Sequence, residues 1–133
     1  MIVVDVNVIA YLLIAGEHTE TSEALYRADA EWAAPLLWRS EWRSVLRGYL
    51  RRGDLTLPAA IERTEAAQRL VRTREYPVDD AQVLQLSMHA PCSAYHCEYV
   101  ALAETLDVPL VTNDRDVLDA FPKRATSPRT YLA

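Results

Sequence analysis

The chain has 133 residues, half of them apolar and a quarter charged, a balance that fits one folded domain with a sizeable core and excludes a disordered chain. Its formal charge of −5 argues against nucleic-acid binding over the whole surface, because phosphate contacts need clustered Lys and Arg, but it leaves room for a local basic stripe. No run approaches the roughly 18 apolar residues of a membrane span and the start lacks the basic-then-apolar build of a signal peptide, so no membrane role and a cytoplasmic location are expected.

In chain order, "MIVVDVN" is apolar through Val4 and stops on Asp5, which predicts a short strand buried on both faces. "NVIAYLLIAG" follows with helical spacing and a stop at Gly16. "HTETSEALYRADAEW" is a second helix, with acids near its start where the helix dipole favours them. "EWAAP" reads as a short strand closed by Pro35, and "LLWRSEWRSVLRGYLRRG" as a third helix stopped at Gly53. "LPAAIERTEAAQRLVRTR" is a fourth helix with Pro58 in its first turn. "EYPV" is extended around Pro77; "DDAQVLQLSMHA" is a helix opened by Asp79 or Asp80, and "SAYHCEYVALAETLD" another capped by Ser93. "VPLVTND" is a strand, "RDVLDAFP" a short helix, and the tail has room for one edge strand. Strands alternating with helices require parallel pairing through crossovers. The expected fold is therefore α/β, a three-layer α/β/α sandwich around a small, mainly parallel sheet, with residues 1–133 as one domain.

Cys92 and Cys97 are the only cysteines. With four residues between them and no matching His–Cys set, they read as reduced packing or surface thiols rather than a zinc site or disulfide. His18 and His89 read as surface residues. Trp32, Tyr11 and the apolar side of the second helix belong either to the core or to a dimer seam.

In open parallel sheets, ligands collect beyond the carboxyl ends of the strands, and Asp5 and Asp114 follow two different apolar runs. Each taken singly is as much a helix cap as a site residue; two together point to a site. On the third helix Trp38, Trp42, Val45, Leu46 and Tyr49 define one face, and Glu41 lies on its flank, three after Trp38 and four before Val45. A carboxylate there requires an arginine partner, a hydrogen-bond network or a metal ion. Arg39, Arg43, Arg47 and Arg51 recur every fourth residue on the other side, as a solvated face, a set of phosphate contacts or a surface for an acidic partner. Converging carboxylates have a clear chemical use: hard cations such as Mg²⁺ and Mn²⁺ prefer oxygen ligands and drive phosphodiester hydrolysis. No phosphate loop, nucleophile elbow or dinucleotide fingerprint competes.

Three segments together carry a resemblance. "IVVDVNVIAYLL", "RSEWRSVL" and "SAYHCEYVALAETLDVPLVTNDRDV" resemble a PIN domain, in the small form that looks like a VapC-type toxin of toxin–antitoxin pairs. The resemblance covers nearly the whole chain, and its last segment is the most specific. It implies an α/β/α sandwich, Mg²⁺- or Mn²⁺-dependent endoribonuclease activity on an RNA substrate, a homodimer, and inhibition by a cognate antitoxin that inserts a helix or tail near the active site. By position, Asp5 matches the family's first acid, Asn7 the polar residue two later, Glu41 the second acid and Asp114 the acid after the last core strand. Asp5, Glu41 and Asp114 are then the catalytic and metal-holding acids. Thr112 and Asn113 match polar residues that shape the loop, and Asp116 a position where some members add an acid. Arg39, Arg43 and Arg115 are the basic candidates for RNA or partner contact.

The departure is His96. In the pattern "YDxxYVALAE" the residue after the first Tyr is an acid, eighteen before the acid that follows the strand; here Tyr95 is followed by His96, and Asp114 does fall eighteen later. Three readings stay open. Imidazole binds the metal itself and shifts preference from Mg²⁺ toward Mn²⁺ or softer ions. Or Glu98 takes over, against the helical geometry that points residues two apart to nearly opposite sides. Or the domain is a degenerate PIN domain that binds RNA or a partner without cutting.

Overall fold

Ile2–Val4 forms β1, wholly buried because helices cover both faces of the sheet it sits in. The structure, a computed structural model, describes residues 1–133. From β1 the chain makes α1 (Val6–Leu13) and α2 (Thr19–Ala28), returns as β2 (Trp32–Pro35), and continues through α3 (Trp38–Arg52) and α4 (Leu57–Leu70) to β3 (Glu75–Tyr76). It then crosses the sheet through α5 (Asp80–His89) and α6 (Ala94–Leu106) to β4 (Leu110–Val111), and α7 (Arg115–Ala120) leads to β5 (Ala125–Thr126) and α8 (Pro128–Leu132). All five strands pair in parallel, in the order β3-β2-β1-β4-β5. Val3 sits between Ala33 and Leu110 in the register.

Strand alternation sorts the core into two halves. Ile2 and Val4, Trp32 and Ala34, and Val111 face the side of α1 to α4, where Ile9, Leu25, Trp38 and Trp42 fill the space. Val3, Ala33 and Leu110 face the other side, against Cys97, Tyr99, Val100 and Leu102 of α6 and Val117 of α7. The architecture is thus the expected α/β/α sandwich. Trp32 is wholly buried in the chain's own core and Tyr11 is half-buried. Cys92 and Cys97 are free and buried.

Several helix ends fall short of the periodic pattern because local hydrogen bonds compete with the helix. The first helix ends at Leu13 rather than Gly16: Thr19 Oγ1 accepts from the Gly16 N–H (2.9 Å) and donates to the Ile14 carbonyl (3.2 Å), closing a turn. The second ends at Ala28, where Asp29 turns extended and its carboxylate accepts from Glu31 N–H at 2.9 Å. The fourth ends at Leu70, ahead of Thr73 in the left-handed region. The third stops where expected, on Gly53 at φ 76°. The tail carries, besides its edge strand, a helix that periodicity over five residues cannot reveal; its start signal is Ser127, whose hydroxyl accepts from Thr130 N–H, followed by Pro128.

Arg39 is committed to the fold. Its guanidinium donates to both oxygens of Glu75 (2.7 and 2.8 Å), and the buried Trp38 indole N–H donates to the same carboxylate, tying α3 to the β3 edge. The bonds from Arg39, with Trp38 adding to them, hold Glu75 below its ordinary value against the opposing effect of burial. Because the folded value is depressed, this contribution is complete above the unfolded carboxylate value of about 4.3 and is lost as pH falls through the lower folded value. Glu75→Ala leaves the Trp38 N–H without its partner, so a loss of about 2 kcal/mol is expected. In a thermal melt at neutral pH this reads as a fall of roughly 5–10 °C, and the gap to the parent protein narrows toward pH 3.

Candidate metal and phosphodiester site

After β3 the chain reverses direction across the sheet, so β1 has β2 on one side and β4 on the other. That switch point, at the carboxyl ends of β1 and β4, is where parallel sheets leave a crevice for ligands. Asp5 directly follows β1 and Asp114 lies just beyond β4, one acid on each side of the crevice.

Both acids begin helices, and this fixes them. Asp5 caps α1, accepting from the Asn7 N–H at 3.3 Å, and Asp114 caps α7, accepting from the Val117 N–H at 3.0 Å. The cap reading and the site reading are therefore compatible, since each cap spends one carboxylate oxygen and leaves the other. The buried Thr112 joins them: its hydroxyl donates to Asp5 Oδ2 (2.8 Å) and accepts from the Asp114 N–H (3.0 Å). One side chain thus couples the acids of two strands, and Asp5, Thr112 and Asp114 come together as expected.

Glu41, half-buried on α3, faces the same region. Its partner is not an arginine but Tyr99 of α6, whose phenol O–H donates to Oε1 at 2.6 Å. Burial pushes Glu41 up, the Tyr99 bond opposes that, and Asp5 and then Glu98 raise it further, with His96 lowering it. Tyr99 is pushed well above its ordinary value by burial and by Glu41, so it stays a donor. Tyr99 is the site residue that sequence reasoning missed. The available signal was a phenol inside an apolar helical face, since a buried Tyr hydroxyl needs an acceptor.

His96 is the third residue of α6, in its first turn behind the cap Ser93. Its Nδ1 lies 3.0 Å from Ser93 Oγ and its Nε2 3.3 Å from Asp114 Oδ2, so the imidazole faces the oxygen that the α7 cap leaves open. Glu98 is half-buried and pushed up by burial first and by Asp80 second. Asp116 is exposed in the first turn of α7. Asn113 and Arg115 line a separate hollow with Ser127 and Thr130, toward α8 rather than the crevice. Asn7 lines a groove with Glu41. Arg43 borders an apolar groove between α3 and α4, with Arg47 and Arg51 beside Leu46, Leu50, Leu57 and Ile61.

The donor set suits a hard divalent cation in kind. Glu41 is a half-buried carboxylate that burial, Asp5 and Glu98 all work to neutralise, and a nearby cation is what would hold it ionised. The set is not closed around an ion: no three His, Cys, Asp or Glu side chains stand grouped to hold one.

No helix is long and apolar enough to cross a membrane. Three comparisons place the chain. Its fold is similar to the crystal structure of PAE2754 from Pyrobaculum aerophilum, with a TM-score of 0.77 at 20% identity, over 98% of this chain and 92% of that one. It is similar to FitAcB from Neisseria gonorrhoeae, with a TM-score of 0.72 at 21% identity over 97% and 99%. It is also similar to a toxin–antitoxin complex from Klebsiella pneumoniae, with a TM-score of 0.66 at 14% identity over 96% and 98%. At these identities the likeness establishes the fold. Among curated proteins no relative matches. The PIN domain family model matches residues 2–123, nearly the whole chain, including Asp5 after β1, the helix that carries Glu41 and Asp114 beyond β4. The chain belongs to the PIN domain family.

Proposed function

We propose that the chain is a metal-dependent endoribonuclease, the VapC-like toxin of a toxin–antitoxin pair. The observation that carries this reading is the pair Asp5 and Asp114, joined through Thr112 across the switch point, with Glu41 held by Tyr99 beside them. Asp5, Glu41 and Asp114 would hold Mg²⁺ or Mn²⁺, with His96, Glu98 and Asp116 as supporting groups. When bound, the ion lowers the pKa of water and stabilises the departing oxygen of a phosphodiester. The RNA substrate, the homodimer and the cytoplasmic location follow from the resemblance to VapC toxins. The groove between α3 and α4, with an apolar floor and three arginines at its rim, suits an amphipathic antitoxin segment with acidic flanks, because the charges are complementary.

A second reading has its own observation. His96 stands against Asp114 Oδ2 at the position where the family pattern has an acid, which favours a degenerate PIN domain that binds RNA or a partner without cutting. Cleavage of total RNA with Mg²⁺, with Mn²⁺ and with EDTA separates the two. The nuclease reading requires cleavage that a chelator stops; RNA binding with no cleavage in any arm leaves the degenerate one.

Metal should also stabilise the fold by mass action. At 100 times its dissociation constant an ion adds about 2.7 kcal/mol, roughly 10 °C in a chain of this length. An unchanged melting temperature in millimolar Mg²⁺ and Mn²⁺ would count against both ions.

A further inference from the structure

A hollow of about 500 Å³ runs between α1 and α3, starting at Glu41 and Asn7 and ending among Tyr11, Tyr49 and Arg52. Its size lies within the range of small-ligand pockets. Glu41 is the one carboxylate in its lining, and the far end carries Arg52. Tyr11 and Tyr49 are half-buried and line it. The Arg52 guanidinium lies 4.8 Å from the Tyr49 ring centre and is steadied by Asp54 Oδ2 at 3.0 Å. Tyr11 is backed by the His18 ring, with centroids 4.5 Å apart.

Gly48 adds an independent observation. It sits inside α3, where glycine weakens a helix relative to alanine, and its backbone does not adopt the left-handed conformation that would require one. A Cβ there would come within 3.2 Å of Arg52 Nη1. The missing side chain leaves space for the guanidinium over the hollow.

We propose that this hollow is a nucleobase subsite, in which Tyr49 and Tyr11 stack the base next to the scissile phosphate and Arg52 meets the backbone of the strand. The proposal rests on the nuclease reading for its direction, since Glu41 makes the hollow continuous with the acids. Aromatic stacking of this kind accepts any base, and Arg supplies a charge contact and a planar surface. Burial first, and Asp5 second, raise Tyr11, so its hydroxyl stays protonated and able to donate at neutral pH. The site therefore selects a strand with an unstacked base and rejects a fully paired duplex.

The test uses the full chain and a fluorescein-labelled single-stranded hexaribonucleotide, with anisotropy in EDTA and steady-state cleavage in Mn²⁺. Tyr49→Leu keeps the apolar bulk and removes the stacking face; Gly48→Ala favours the helix while crowding Arg52. Tyr49→Leu is expected to weaken binding roughly tenfold, with the loss in KM rather than kcat, while Tyr49→Phe binds as the parent; Gly48→Ala, which shifts the Arg52 guanidinium by a few tenths of an ångström, is expected to weaken binding by a smaller factor, about threefold, and to melt no lower. If Tyr49→Leu and Gly48→Ala both bind within twofold of the parent while Asp5→Asn abolishes cleavage, the subsite is overturned and the nuclease stands. If Tyr49→Leu loses affinity only along with its fold and Gly48→Ala binds normally, the subsite is likewise overturned. A parent protein that neither binds nor cuts the oligonucleotide overturns both.

Discussion

Asp5→Asn should lower metal-dependent RNA cleavage by roughly a thousandfold while leaving the fold intact. Asn caps a helix about as well as Asp, so the bond from the Asn7 N–H to the side chain and the start of α1 persist. With its one oxygen kept on the Asn7 N–H, the amide NH2 faces the Thr112 hydroxyl in place of Oδ2 and donates to it, so the link between β1 and β4 reverses direction rather than breaking. What disappears is the negative charge and the hard oxygen ligand. The transition-state stabilisation supplied by a metal is several kcal/mol, and each 1.36 kcal/mol is tenfold in rate. The same variant should lose the metal-induced rise in melting temperature. Cleavage at the parent rate, with an unchanged melt, would remove Asp5 from the chemistry.

His96→Asp carries the second large effect. It takes the imidazole from beside Asp114 Oδ2 and places a carboxylate in the first turn of α6, where the helix dipole favours it. Metal affinity is expected to rise by roughly 10–100-fold, the scale on which groups around a metal site act, and the half-saturation point of Mg²⁺ in a thermal titration measures it. Without metal the added acid repels Asp114, so the metal-free variant should melt lower than the parent. Cleavage separates the readings further. A parent that cuts with Mn²⁺ and a variant that prefers Mg²⁺ mean that the histidine retunes the site; a silent parent and an active variant mean that it silences it. If neither affinity nor metal preference moves, His96 lies outside the metal site.

Much of this was legible in the chain because the informative patterns are local. A strand buried on both faces reads as an apolar run, so Asp5 and Asp114 announce themselves by ending one. Glu41 is visible because helical periodicity places it beside Trp38 and Trp42. Other features depend on contacts between distant segments. Tyr99 looks like one more packing residue until α6 lies against α3 and its phenol meets Glu41. The hydrogen bond from the Thr112 hydroxyl to Asp5 exists because β1 and β4 are neighbours, a pairing that no short motif encodes. The arginine stripe divides for the same reason. Arg39 is claimed by Glu75 of a two-residue strand, while Arg43, Arg47 and Arg51 border a groove made by the next helix. Helix ends were the least legible part, since side chains such as Thr19 and Asp29 redirect the backbone while the apolar period still continues.

The strand order has a consequence in time. Thr112 meets Asp5 across 107 residues of chain, and β4 joins β1 only after everything on the other side of the sheet has been made. During synthesis the N-terminal acids emerge first and wait, with Glu41 and without their third member. Contacts between such distant segments form late, because the loop must close before the pairing rewards it. A ribosome-bound fragment therefore carries a partial core and an unfinished site. On the proposed nuclease reading, that order delays activity until β4 has joined β1.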